Sequence, residues 1–173
     1  MEQKITVRPA VRSDIADLAN ITMDCVEGGA SIGFMNGVDA HRLLEFWSNC
    51  FDSVSSGGRI ILVAESSEHP KIVGTVQLLL NMPDNQPHRA EVAKLQVHRC
   101  ARNRGIAEKL MVAIEREAKL NGRKLLVLDT VTDSSAARLY RRLSWIECGE
   151  IPNFALWPSG EYCSTTVFYK QLI

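Results

Sequence analysis

The chain has 173 residues, 46% of them apolar and 23% charged, with 20 basic against 20 acidic side chains and a formal net charge of zero. That is about one domain, expected to span 1–173, with enough apolar side chain to bury a core; it is not a disordered or fibrous composition. Balanced charge argues against a protein that wraps nucleic acid, and no apolar run is long enough to cross a bilayer.

Met1-Glu2-Gln3-Lys4-Ile5 leads straight into a strand-like segment, with neither a signal peptide nor an anchor, so the cytosol is the expected location. Ile5-Thr6-Val7-Arg8-Pro9 alternates and stops at proline, as a short strand would. Ser13-Asp14 then reads as a helix start, with Ile15, Leu18, Ala19 and Thr22 continuing on one face. From Glu27 to Gly37 the chain is a loop rich in glycine, yet it carries Ile32, Phe34 and Met35. Those residues suit a loop that closes over a small ligand, or a connector whose apolar residues tuck onto the core.

A second helix is expected from about Asp39 to Val54, with Leu43, Leu44, Phe46, Trp47 and Phe51 on its apolar side. Ile60 to Ala64 is continuously apolar and reads as a strand buried on both faces. Ser66 to Pro70 is turn chemistry, and Lys71 to Leu80 is the returning strand of a hairpin.

The most informative stretch runs from Glu91 to Leu120. Val92, Leu95 and Val97 alternate with Lys94 and Gln96 in a strand that starts near Arg89. Ile106, Leu110, Met111, Ile114 and Ala118 recur at helical spacing after Gly105, with Arg99, Arg102 and Arg104 between. A strand that delivers a cationic turn to a helix N-terminus is an anion site, because unpaired N–H groups and the helix dipole point at whatever sits there. A pyrophosphate is the expected anion.

Lys124 to Leu128 is a short buried strand with Asp129 at its end. Strand, helix and strand make a βαβ unit with parallel strands. Ser134-Ser135 is placed to cap a helix carrying Ala136, Ala137, Leu139, Tyr140 and Leu143. Trp145 to Ile151 and Thr165 to Gln171 read as the last two strands, linked by an aromatic-rich loop from Pro152 to Gly160. The order β-α-α-β-β-β-α-β-α-β-β is an α/β domain with a mixed, mostly antiparallel sheet.

The five cysteines, Cys25, Cys50, Cys100, Cys148 and Cys163, are spread along the chain and never form a C-x-x-C pair. With the histidines equally scattered, they predict reduced, mostly structural thiols and no metal.

Arg102-Asn103-Arg104-Gly105-Ile106-Ala107 fits Q/R-x-x-G-x-G/A, the acyl-CoA signature of the GCN5-related (GNAT) N-acetyltransferases, which the chain resembles over essentially its whole length. Ala136-Ala137-Arg138-Leu139-Tyr140 resembles the family's A-x-x-x-Y segment. The segments Glu27 to Met35, Leu128-Asp129-Thr130 and Gly149-Glu150-Ile151-Pro152 look like those of tabtoxin-resistance acetyltransferases, which modify the amine of a small β-lactam amino acid. Departures are Arg99 for a frequent proline, Asn103 for glycine, Asp133 for asparagine, and Ser144-Trp145 for Gly-Phe.

The resemblance implies a GNAT-type fold and an N-acetyltransferase that uses acetyl-CoA, with no metal. Leu95, Gln96, Val97, Arg102, Asn103, Arg104, Gly105, Ile106 and Ala107 would hold the cofactor. Pantetheine would run beside Leu95 and Val97, and the Val97 N–H would face the oxyanion. Asp129 and Glu91 are the candidate bases, and Tyr140 the acid that protonates the departing thiolate. A Cys100 acyl-enzyme is the weaker route, since no base lies near it in sequence.

Apolar Ile32, Phe34, Phe154 and Trp157 suggest a closed acceptor pocket, hence the primary amine of a small amino-acid-like acceptor, with an antibiotic or toxin among the candidates. The alternatives are a peptide or polyamine acceptor, or a non-catalytic acyl-CoA sensor or interaction module. Neither nucleic acid nor membrane is expected as a partner, and a homodimer is left open.

Overall fold

The computed structural model describes residues 4–67 and 70–172. Strand β1 (Ile5–Pro9) is followed by a 3-10 turn (Arg12–Asp14), helices α1 (Ile15–Glu27) and α2 (Ala40–Ser55), and strands β2 (Arg59–Ser66), β3 (Ile72–Leu79) and β4 (Arg89–Val97). A second 3-10 turn (Arg99–Ala101), α3 (Ile106–Leu120), β5 (Leu125–Val131), α4 (Ser135–Arg142), β6 (Ile146–Leu156) and β7 (Tyr162–Gln171) complete the chain. The element order is the expected one. The turn expected at Ser66–Pro70 includes residues 68 and 69, which lie outside the described residues.

All seven strands form one sheet in the order β1-β2-β3-β4-β5-β7-β6. Every neighbouring pair is antiparallel except β4 and β5, the two strands joined by α3. Helices cover both faces. On one, Ile106, Leu110, Met111, Ile114 and Ala118 of α3 are buried against Val73, Ala90, Val92 and Leu126. On the other, Leu18, Ile21, Leu43 and Trp47 of α1 and α2 are buried against Ile61, Val63 and Ile72. Strand β2 sends Leu62 and Ala64 to the first core and Ile61 and Val63 to the second, which explains its unbroken apolar run. Among the described residues, no helix is long and apolar enough to cross a membrane.

Some expectations are corrected. Leu44 does not join the apolar side of α2 but is exposed, as its neighbours Leu43 and Trp47 take the buried stripe. Strand β5 does not stop before Asp129; β7 continues to pair with it as far as Val131. The segment expected as a loop from Pro152 is largely strand, because β6 runs to Leu156. Pro152 and Asn153 (φ 54°) sit in an irregularity between Ile151 and Ala155 on this edge strand, where turn chemistry is tolerated.

Two irregularities shape the centre of the sheet. Strands β4 and β5 pair only from Arg89 to Glu91, opposite Leu125 to Val127, and then part. Within β4, Gln77 faces Ala93 while Thr75 faces Gln96, so β4 carries one extra residue, and Lys94 takes the left-handed φ of 53°. That insertion flips the alternation. Before it Ala90 and Val92 pack toward α3; after it Leu95 and Val97 do, while Lys94 and Gln96 face α1 and α2.

Candidate active site

The opening between β4 and β5 is bordered by the last residues of β4, the turn into α3 and the β5 segment that carries Asp129. Val97 stands opposite Gly74 of β3, but the neighbouring ladder bond runs from the His98 N–H to the Val73 carbonyl. By antiparallel alternation, the N–H and carbonyl of Val97 therefore turn away from β3, toward the gap that β5 has left. Its carbonyl accepts from Arg102 Nε at 3.1 Å and from the Cys25 thiol at 3.7 Å. Arg102 thus folds back along the strand edge.

Past Val97, the turn is fixed by a bond that the usual proline could not make. The backbone N–H of Arg99 donates to Asp24 Oδ2 at 2.7 Å, and its guanidinium Nε to Asp24 Oδ1 at 2.8 Å. Burial alone would raise the Asp24 pKa, but the Arg99 N–H, its guanidinium and His98 together hold it below the usual carboxylate range. Asn103 and Gly105 then take left-handed φ of 61° and 72°. A left-handed Gly105 is the α3 N-cap, with no side chain bonded to the first turn. The intrahelical ladder begins with the Lys109 N–H on the Gly105 carbonyl. The N–H groups of Ile106, Ala107 and Glu108 are left facing outward, as an anion site requires. Ile106 can offer only its N–H, for its side chain is fully buried.

Gln96 is placed differently from its neighbours. Its side chain lies in the core, where Oε1 accepts from Thr22 Oγ1 at 2.9 Å, and Thr22 in turn accepts from Trp47 Nε1 at 3.0 Å. Its backbone pairs with Thr75, so neither part faces the gap. This is the direct consequence of the Lys94 insertion.

Asp129 lies on β5 beyond the last β4 pairing, on the sheet face opposite Leu126 and Leu128, and its Oδ2 is 2.8 Å from Thr165 Oγ1 of β7. Glu91 shares that face from β4, roughly two residues, or about 7 Å, nearer the closed end of the gap. It is held by Arg89 at 2.7 Å. Tyr140 comes from the other side: its ring is buried against Trp145 and Phe168 at centroid distances of 5.9 and 5.8 Å. Burial, with the charge of Asp129 behind it, pushes the phenol pKa above its usual value. The hydroxyl makes no hydrogen bond to another described residue.

Two segments meet beyond this face of the sheet. Ser31 Oγ donates to the Leu156 carbonyl at 2.7 Å, and the Asn36 N–H to the Pro158 carbonyl at 3.1 Å. The glycine-rich loop is thereby fastened to the end of the β6–β7 hairpin. Phe34 is buried edge-on to Phe46 at 5.3 Å, and Ile32 and Trp157 are half-buried, whereas Phe154 is exposed on the edge strand. Between the loop, α2 and β4 is a cavity of about 440 Å³ lined by Gly33, Phe34, Arg42, Glu45, Phe46, Asn49 and Lys94. Of these, Arg42 and Glu45 had no mark in the sequence, and Lys94 read only as one of the polar residues alternating along its strand. Thr165 was equally silent. Among the described residues, no group of three or more His, Cys, Asp or Glu could hold a metal ion.

Solved structures share this architecture. The Salmonella typhimurium protein yncA, determined with its cofactor acetyl-CoA, superposes with a TM-score of 0.81 at 22% identity over 98% of this chain and 95% of that one. Ribosomal-protein-alanine N-acetyltransferase from Brucella melitensis gives 0.82 at 24% identity, over 96% of this chain and 99% of that one. Phosphinothricin acetyltransferase from Sinorhizobium meliloti, in complex with acetyl-CoA, gives 0.82 at 17%, over 97% and 88%. At these identities the likeness is one of fold. The sequence itself matches the Acetyltransferase (GNAT) family over residues 21–145, most of its length. The chain therefore belongs to the GNAT family of acetyl-CoA-dependent N-acetyltransferases.

Proposed function

We propose that this enzyme moves the acetyl group of acetyl-CoA onto the primary amine of a small, amino-acid-like acceptor, by direct attack within a ternary complex. The observation that carries the size of the acceptor is the Ser31–Leu156 bond. It fastens the Ile32–Phe34 loop to the β6–β7 hairpin, and this loop, with α2 and β4, lines the cavity of about 440 Å³ beside Lys94. A peptide acceptor needs an open groove, and this closure disfavours one.

Bound acetyl-CoA supplies an acyl carbon activated as a thioester. The outward N–H groups of Ile106 and Ala107 suit its pyrophosphate, and the turned-out backbone of Val97 suits its pantetheine amide. Asp129, with Glu91 on the same face, takes the proton that the acceptor ammonium must lose before its nitrogen can form the new C–N bond. The Val97 N–H receives the negative charge that gathers on the carbonyl oxygen. Tyr140 gives its proton to the sulfur as the C–S bond breaks, and the second proton lost by the acceptor nitrogen, once the C–N bond has formed, restores the phenol. Arg102, now on the Val97 carbonyl, swings outward to add a charge-assisted contact to the phosphates.

The resemblance of Glu27–Met35, Leu128–Thr130 and Gly149–Pro152 to tabtoxin-resistance enzymes keeps β-lactam amino acids, and with them toxin resistance, in the acceptor class. The test is thiol release from acetyl-CoA across amino acids, β-lactam amino acids, polyamines and peptides. Turnover confined to the first two supports the reading. Preference for peptides or polyamines would reassign the acceptor, and acetyl-CoA binding without turnover would make the chain a sensor.

A further inference from the structure

Lys94 is the residue on β4 that neither the ladder nor the core accounts for. The extra residue in the strand turns its side chain into the cavity beside α2, where Nζ donates to the Ile32 carbonyl at 3.0 Å and lies 5.7 Å from the centre of the Phe46 ring. An ammonium has three donors, and only one is committed. No carboxylate among the described residues lies within ion-pair distance of it. Gly33 passes so close that a Cβ there would stand 3.4 Å from Nζ, which keeps the loop wall tight around the ammonium. Arg42, from α2, lines the same cavity, as does Glu45. Two cations and one carboxylate leave one positive charge over, set against the low-dielectric surfaces of Phe34 and Phe46.

We propose that this cavity is the subsite for the acceptor's carboxylate, with Lys94 and Arg42 as its ligands. The proposal rests on the acetyl-transfer reading above and names the feature that makes an amine a substrate. A cation drawn out of water without a counter-ion is costly, and an incoming anion relieves that cost. Burial also pushes the Lys94 pKa down, while Asp129 pulls it up from across the face. An acidic group held here leaves the acceptor's amine to extend along the same sheet face toward Asp129.

The experiment compares amines that differ only by that group, lysine with cadaverine and 2,4-diaminobutyrate with 1,3-diaminopropane, in wild type, Lys94→Met and Arg42→Gln. Arg42 is exposed on α2, so its variant folds regardless. Wild type should favour each amino acid over its partner amine by about 30- to 100-fold in kcat/KM. Lys94→Met should raise KM for the amino acid by a similar factor with kcat nearly unchanged, leave the partner amine unaffected, and Arg42→Gln should move the same way by less. Equal use of both members by wild type, or an equal loss on both in Lys94→Met, overturns the subsite while the acetyl-transfer reading stands. If no pair is acetylated although acetyl-CoA raises the melting temperature, the amino-acid acceptor reading fails and the subsite with it.

Discussion

Thr165 Oγ1 lies 2.8 Å from Asp129 Oδ2 and 2.9 Å from the Thr130 carbonyl, so the single proton of this β7 hydroxyl is shared between the carboxylate of Asp129 and the backbone of the strand that carries it. Where β5 has lost β4, this is what holds Asp129 at the gap. Thr165→Val removes the hydroxyl with little change in shape. We expect turnover to fall about 3- to 10-fold with KM for acetyl-CoA unchanged, and stability to fall by about 1 kcal/mol. Asp129→Asn should cost about 10²–10⁴-fold, as for a general base. Steady-state kinetics and denaturant unfolding check both; an unchanged rate in Asp129→Asn would move the base elsewhere on the same face, to Glu91.

Tyr140→Phe deletes only the phenol oxygen from a ring that Trp145 and Phe168 already hold in place. Turnover should drop by about 10²–10⁴-fold while acetyl-CoA still binds. Because burial raises the phenol pKa above its ordinary value, the acid form persists throughout the working range. The wild-type rate should therefore show no alkaline fall from this group below about pH 10. A fall nearer pH 8 that vanishes in Tyr140→Phe would contradict the placement of the phenol.

Asp24 anchors the turn that precedes the anion site. Its pKa is depressed in the folded state, so its contribution to stability is present above the unfolded value of about 3.9 and is lost as the pH falls through the folded value. Asp24→Asn should destabilise by about 1–2 kcal/mol at neutral pH, and the difference from wild type should close below about pH 4. Unfolding free energies measured across that range decide it. The same variant should weaken acetyl-CoA, because the Arg99 N–H that sets the turn is bonded to this carboxylate.

Ser144 and Asn103 stand at left-handed φ of 62° and 61°. Serine tolerates the left-handed region poorly and asparagine well. Ser144→Gly should therefore stabilise by about 0.5–1 kcal/mol, or about 1–4 °C in melting temperature for a chain of this size, whereas Asn103→Gly should be close to neutral. Thermal unfolding of the two variants checks the contrast. Equal effects would mean that φ alone does not govern these sites.

Much of this architecture was legible because single residues carry strong local signals. Helix α3 was readable from its spacing of Ile106, Leu110 and Ile114, and the anion turn from glycine and arginine placed between a strand and that helix. Ser134 caps α4 through the Ala137 N–H at 3.1 Å, as its position suggested. What escaped depends on register. An inserted residue in a strand leaves no local mark, yet the one at Lys94 sends Gln96 into the core and turns a cation into the cavity beside α2. Asp129 was expected at a strand end because its apolar run stops there, but strand length is set by the partner, and β7 continues to Val131. Pro152 and Asn153 looked like a loop because an edge strand can absorb residues that a central strand cannot.

Thermal unfolding with and without acetyl-CoA, in wild type and Asn103→Asp, shows whether acetyl-CoA is held where β4 and β5 part and α3 begins. The variant keeps the shape and backbone tolerance of the turn and places a negative charge beside the expected pyrophosphate. At a concentration of about 100 times the dissociation constant, acetyl-CoA should raise the wild-type melting temperature by about 5–10 °C, and Asn103→Asp should lose most of that rise. No rise in wild type, or an equal rise in both proteins, would contradict the site.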